Sequence, residues 1–211
     1  MEVWGAVDNE RSVLTDDLSR LNERQWDVQS LCTEWKIRHV VAHLVIEANV
    51  KLGATLVGVV KNGMNVNRAL AQAALTAGIA PPDVLLLRFK DTIGSRTILP
   101  FTKPACVLAD VICHAADVRR PLGLSRDVPK SALIAAADFL RSDSITGAKR
   151  RIVGLRLSAT DSDWVLGDGP KVEGPLEALV LAMAGRADAL GELAGDGFPT
   201  LQTRTELNLN N

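Results

Sequence analysis

The sequence predicts an α-helical four-helix bundle followed by a small α+β domain. Three observations carry this. Apolar residues recur at helical spacing through most of residues 3–141, in segments broken by glycine and proline. Near Arg150 the period changes to two, with Val153, Leu155, Leu157 and Ala159 alternating against Gly154, Arg156 and Ser158. A last helical face, Leu176, Leu179, Val180, Met183, Ala187 and Leu190, closes the second region. The expected division is a bundle over residues 1–146, an α+β domain over 147–200 and a flexible tail over 201–211.

The elements follow in order. Val3 to about Asn22 is amphipathic, with Val7, Leu14, Leu18 and Leu21 on one face. A connector from Trp26 through Cys32 to Trp35 holds two tryptophans and a cysteine, too apolar for a bare loop, and is expected to pack over one end of the bundle. Lys36 to Val60 reads as the second helix, with Ile37, Val40, Val41, Leu44, Val45, Ala48 and Leu52 facing inward. Arg68–Ala77 is a short alanine-rich helix, ended by Gly78 and the Pro81-Pro82 pair. Val84–Ile93 forms the third bundle helix and Ala105–Arg119 the fourth, which stops at Pro121 and Gly123. Ser131–Arg141 adds a short helix. Three short strands follow, at Val153–Ala159, Trp164–Leu166 and Lys171–Glu173, before the final helix.

Bulk properties exclude several classes. With 24 Lys+Arg against 25 Asp+Glu, the net charge of −1 gives no field for nucleic acid or an anionic membrane. The start, MEVWGAVDNERS, lacks the basic and apolar regions of a secretory signal. No uncharged apolar run approaches the roughly 18 residues of a membrane span. Three cysteines, odd in number and without a CxxC pair, fit reduced thiols in a cytoplasmic protein.

All three histidines fall on two helical stripes. His39 and His43 are one turn apart in RHVVAHLVIE, and Asp110, His114 and Asp117 share a face in ADVICHAADVRRPLG. A catalytic zinc site takes three imidazole or carboxylate ligands at about 2.0–2.2 Å and keeps one position open. His43, Asp110 and His114 form such a set, if the two helices face each other. His39 and Asp117 are further candidates. Asp117 is expected to fix a ligand histidine from behind, or to pair with Arg119 or Arg120 near the helix end. Cys113 points away from His114 and reads as a buried, inert thiol.

The segments WKIRHVVAHL and DVICHAADVRRPLG, with GLRLSATDSDWVLGDGPKVEGPLEALVLAMAGR in the second region, resemble the mycothiol-dependent maleylpyruvate isomerase-like proteins. These belong to the DinB-like superfamily of metal-binding four-helix bundles. The resemblance implies His43, Asp110 and His114 as ligands of a divalent ion, expected to be zinc. In the family the acid is usually glutamate; the shorter Asp110 asks for closer helices or a bridging water. His39 stands where an acidic residue is common and is not counted as a ligand. Arg186, in the Gly185-Arg186 pair, matches an arginine offered to a substrate or thiol carboxylate.

The implied cofactor is mycothiol, a small thiol of actinobacteria, and the implied partner a small electrophile. A metal-bound thiolate would attack an electrophilic carbon, giving cis–trans isomerisation or thiol transfer. Two alternatives stay open at this level: hydrolysis on the same ligands with Asp117 or Glu47 as base, and a non-catalytic metal- or ligand-binding protein. Isomerase, transferase and homodimer are likewise left undecided by the residues.

Overall fold

The computed structural model describes residues 2–50, 66–98, 102–144 and 146–207, which form two compact units. One comprises residues 2–107 and 114–125; the other comprises 126–207 and takes in a stretch of one long helix, 108–113.

In the first unit, α1 (Val3–Ser19) buries Ala6, Val7, Leu14 and Leu18, the face expected from its periodicity. It also buries two charged residues, Glu10 and Arg11. Arg11 donates to the carbonyls of Thr92 (2.8 Å) and Ser95 (3.2 Å), so a distant turn is fixed to α1 by a charge-assisted bond. A single turn, α2 (Glu23–Trp26), is held by a reciprocal cap. The Gln25 N–H donates to the Asn22 side chain, and the Asn22 N–H donates back to Gln25 Oε1.

Helix α3 (Ile37–Ala48) packs against both α4 (Val66–Ala77) and α5 (Pro82–Lys90), and α1 packs against α5. Proline opens α5, where its missing N–H costs nothing. The expected run of the second helix to Val60 is not seen as such: α3 ends at Ala48. Asn49 leaves helical backbone (φ −126°), and its side-chain amide donates to the Val45 carbonyl at 2.9 Å. The remainder of that expectation, 51–60, lies outside the described residues. The third helix likewise begins and ends earlier than read, because Asp91–Gly94 turns through a left-handed Gly94 (φ 87°).

Helix α6 (Pro104–Arg119) runs into a 3-10 turn, Arg120–Leu122, ended by left-handed Gly123. Near the end of α6, Arg119 Nε donates to Asp17 of α1 at 2.6 Å and its Nη1 lies 3.9 Å from Glu10. Glu10 and Arg119 are buried and Asp17 is partly so, so the acidic side chains offset the cost of burying the guanidinium.

The second unit holds α7 (Lys130–Leu140), α8 (Ala148–Ile152), α9 (Leu176–Met183) and α10 (Phe198–Leu207) with a small sheet. Strand β1 (Arg156–Ala159) lies between β2 (Val165–Leu166), antiparallel, and β3 (Lys171–Gly174), parallel. The register sets Leu157 opposite Leu166 and Val172, and Leu157 and Val172 are fully buried. Asp161, paired with Lys130, accepts the Leu176 N–H at 2.9 Å and so fixes the first turn of α9. Helix α9 packs on α7, α8 and β1, and α10 packs on α8 and β3.

Three expectations are corrected here. The final apolar helix is two elements: α9 stops at Met183, Gly185 takes φ 91°, and a 3-10 segment, Ala187–Glu192, follows. A Schellman-type closure ends α9, with Gly185 N–H on Ala182 O and Arg186 N–H on Leu181 O. The segment just before β1 is helical as α8, leaving Val153 and Gly154 in a turn. Residues 201–207, read as a flexible tail, belong to α10, with Leu201 and Thr205 buried. The rest of that tail, 208–211, lies outside the described residues.

Candidate metal centre

The site grows from α3, α6 and the loop that precedes α3. On α3, Ile37, Val40, Val41 and Leu44 bury one face and bring His43 at its shoulder to 7% exposure. On α6, Asp110, His114 and Asp117 form one stripe, because α6 is a continuous helix. Asp110 is half-buried, His114 is 7% exposed and Asp117 is fully buried. The two imidazoles meet edge to face, with ring centroids 4.8 Å apart.

His43, Asp110 and His114 each present a ligand atom, and these atoms all lie within 4.8 Å of one another. The structure therefore brings together the three residues singled out from the sequence. The nitrogens of each imidazole are differentiated. His114 Nδ1 lies 2.8 Å from Asp117 Oδ2, so a buried carboxylate takes the Nδ1–H and leaves Nε2 its lone pair. His43 Nε2 faces Glu47 Oε1 at 3.3 Å, whereas its Nδ1 is buried with no hydrogen-bond partner among the described residues.

An unpartnered buried nitrogen is costly. A metal ion accepting that lone pair would remove the cost, so the donor set fits a divalent cation. Two imidazoles and one carboxylate suit zinc or a neighbouring transition metal better than magnesium or calcium, which prefer all-oxygen shells.

Sequence reasoning missed two contributors, both in the loop before α3. Cys32 Sγ donates to Asp117 Oδ2 at 3.2 Å and lies 3.9 Å from His114 Nδ1. Cys32, His114 and Asp117 thus form a second cluster of donor atoms that shares His114 with the first. Trp35 lies against both imidazoles, with centroids 4.9 Å from His43 and 6.0 Å from His114. The visible signal was the unusual composition of the connector: a cysteine and two tryptophans where a solvated loop has little use for them.

The loop is built to hold these side chains. Gln29 Nε2 donates to the carbonyls of Cys32 and Trp35, each at 2.8 Å. Ser30 Oγ donates to Trp35 O at 2.6 Å and accepts the Cys32 N–H at 3.1 Å. Leu31 N–H donates to Asp117 O at 3.3 Å, joining loop and α6. A bridge between Gln29 and Lys36 closes the loop where α3 begins.

The other candidates stand elsewhere. His39 Nδ1 accepts the Lys36 N–H at 3.2 Å, a capping role at the start of α3. Burial holds its imidazolium below the usual range, and Arg38 and Lys36 add repulsion. Cys113 is buried on α6 and belongs to neither donor cluster. Arg186 belongs to the second unit, where its guanidinium donates to Ala184 O at 3.0 Å.

Residues 7–99 match the family described as the mycothiol maleylpyruvate isomerase N-terminal domain. The match takes in Cys32, Trp35, His43 and Glu47 and stops before α6. Among solved structures, the chain is similar to a mycothiol-dependent maleylpyruvate isomerase, with 17% identity, 92% of each chain covered and a TM-score of 0.66. A histidine-to-alanine mutant of that isomerase aligns over the same shares at 17% identity, with a TM-score of 0.65. No curated protein matches the chain. At this identity the structural likeness establishes the fold alone: a helical bundle with a small α+β region.

Proposed function

We propose, from the match of residues 7–99 to the mycothiol maleylpyruvate isomerase N-terminal domain, that the chain is a divalent-metal-dependent enzyme using a small thiol. Zinc is the proposed ion and mycothiol the proposed thiol. The proposed reaction is cis–trans isomerisation or thiol transfer on a small electrophile, in the cytoplasm. The observation that carries this is the convergence of His43, Asp110 and His114 within 4.8 Å.

When bound, a divalent ion supplies the Lewis acidity that lets a coordinated thiol ionise near neutral pH. The chain's own residues prepare that site. His114 is held in one tautomer by Asp117, with its proton kept on Nδ1. His43 keeps an unpartnered nitrogen, and Asp110 brings the anionic oxygen. Trp35 covers both imidazoles on one side, which keeps their charge interactions poorly screened. To Arg186 we assign recognition of a carboxylate on the thiol or substrate, on the strength of the resemblance. Arg186→Lys, which keeps the charge but loses the bidentate fork, is then expected to raise KM while largely preserving kcat.

The test is turnover of a panel of electrophiles and esters by metal-loaded protein, with and without added small thiol. The proposal expects consumption of an electrophile only when thiol is present. Ester cleavage without any thiol would contradict it in favour of hydrolysis.

A further inference from the structure

Asp117 is fully buried, and one of its oxygens, Oδ2, serves two donors at once: His114 Nδ1 at 2.8 Å and Cys32 Sγ at 3.2 Å. A carboxylate that orients a ligand histidine is useful only if its own position is fixed. Asp117 sits on the same helix as His114, three residues on, so the helix alone fixes its backbone and not its carboxylate rotamer. The thiol of Cys32 approaches from another segment and pins that oxygen from a second direction.

Cys32 is unusually well placed for this. Its N–H is taken by Ser30 Oγ, its carbonyl by Gln29 Nε2, and the preceding N–H by Asp117 O. Main chain and side chain of this short stretch both address Asp117. A cysteine that merely fills space does not account for a donor aimed at an occupied carboxylate oxygen in a loop closed by a network of further hydrogen bonds.

We propose that Cys32 is a positioning residue of the candidate metal centre, one that fixes Asp117 Oδ2 and through it the ring of His114. The inference rests on the metal-site reading only in part, because the arrangement of Cys32, Asp117 and His114 is a property of the metal-free protein as well. It assigns Cys32 neither as nucleophile nor as metal ligand: its sulfur stands on the Nδ1 side of His114, the side given to Asp117.

Two readouts on wild type, Cys32→Ala and Cys32→Ser test this. The first is the His114 tautomer in metal-free protein, read by nitrogen-15 NMR of the ring. Wild type and Cys32→Ser, which keeps a donor, are expected to show a single Nδ1–H form, and Cys32→Ala a mixture. The second is affinity for Zn²⁺, read by competition with a chromophoric chelator. Cys32→Ala is expected to bind about tenfold more weakly, within the range for lost outer partners of metal ligands, and Cys32→Ser within about twofold of wild type.

An unchanged tautomer together with unchanged affinity in Cys32→Ala would overturn the proposal. A sulfur-to-cobalt charge-transfer band in the Co²⁺-loaded wild type would overturn it too, since Cys32 would then be a ligand. If no variant bound metal, the functional reading would fall while the tautomer comparison still decided the role of Cys32.

Discussion

His114 joins the parts of the site: its Nδ1 meets Asp117, and its ring lies against those of His43 and Trp35. Asp117→Asn keeps the size of the side chain but makes it ambiguous as donor or acceptor, so the His114 tautomer is no longer dictated. Metal affinity should fall by about 10–100-fold, measured by chelator competition. Asp110→Ala should weaken binding at least as much, while Asp110→Glu, which keeps the carboxylate, should stay nearer to wild type. A different residue governs pH dependence of folding. His39 has its folded-state pKa depressed by burial, so the unfolded chain binds more protons in the window below about 6.5. Its contribution is present above that value and is lost as pH falls. Thermal melts from about pH 7.5 to 5.5 should therefore show a smaller drop for His39→Gln than for wild type. Glutamine keeps an acceptor for the Lys36 N–H at that capping position and does not titrate.

At the scale of elements, the sequence was legible where periodicity was long and uninterrupted. α1, α3 and α6 each carry several apolar residues on one face, and their buried residues match that reading. Legibility failed where a short cause outweighed a long pattern. Ala187 and Leu190 continue the apolar face of α9, but Gly185 turns the chain into the left-handed region. A Cβ at Gly185 would also stand 2.8 Å from Arg151 Nη2, beside a guanidinium that donates to Met183 O. Gly185→Ala should accordingly cost about 1–2 kcal/mol from backbone strain alone, more if Arg151 must move, as measured by urea unfolding. α8 has only five residues, AKRRI, too few for a period to show. α10 is polar along most of its length and is secured by Leu201 and Thr205. Leu201→Ala is expected to destabilise by about 2–5 kcal/mol; a loss near zero would return this segment to the status of a tail.

At the scale of the whole molecule, the near-neutral charge offers no field for a polyanion, and no helix among the described residues is long and apolar enough to cross a membrane. The convergence of His43, Asp110 and His114 could be anticipated from the sequence because histidine is scarce: three in 211 residues, on two helical stripes. The places of Cys32 and Trp35 could not, since a loop has no period to say where its side chains point. The proposed chemistry depends on one physical arrangement, a metal ion held by residues from α3 and α6. The direct measurement is metal content by elemental analysis of wild type, His43→Ala and His114→Ala after incubation with Zn²⁺ and removal of excess. About one ion per chain in the wild type and none retained in either variant is the predicted result. Full occupancy in either variant would contradict the account.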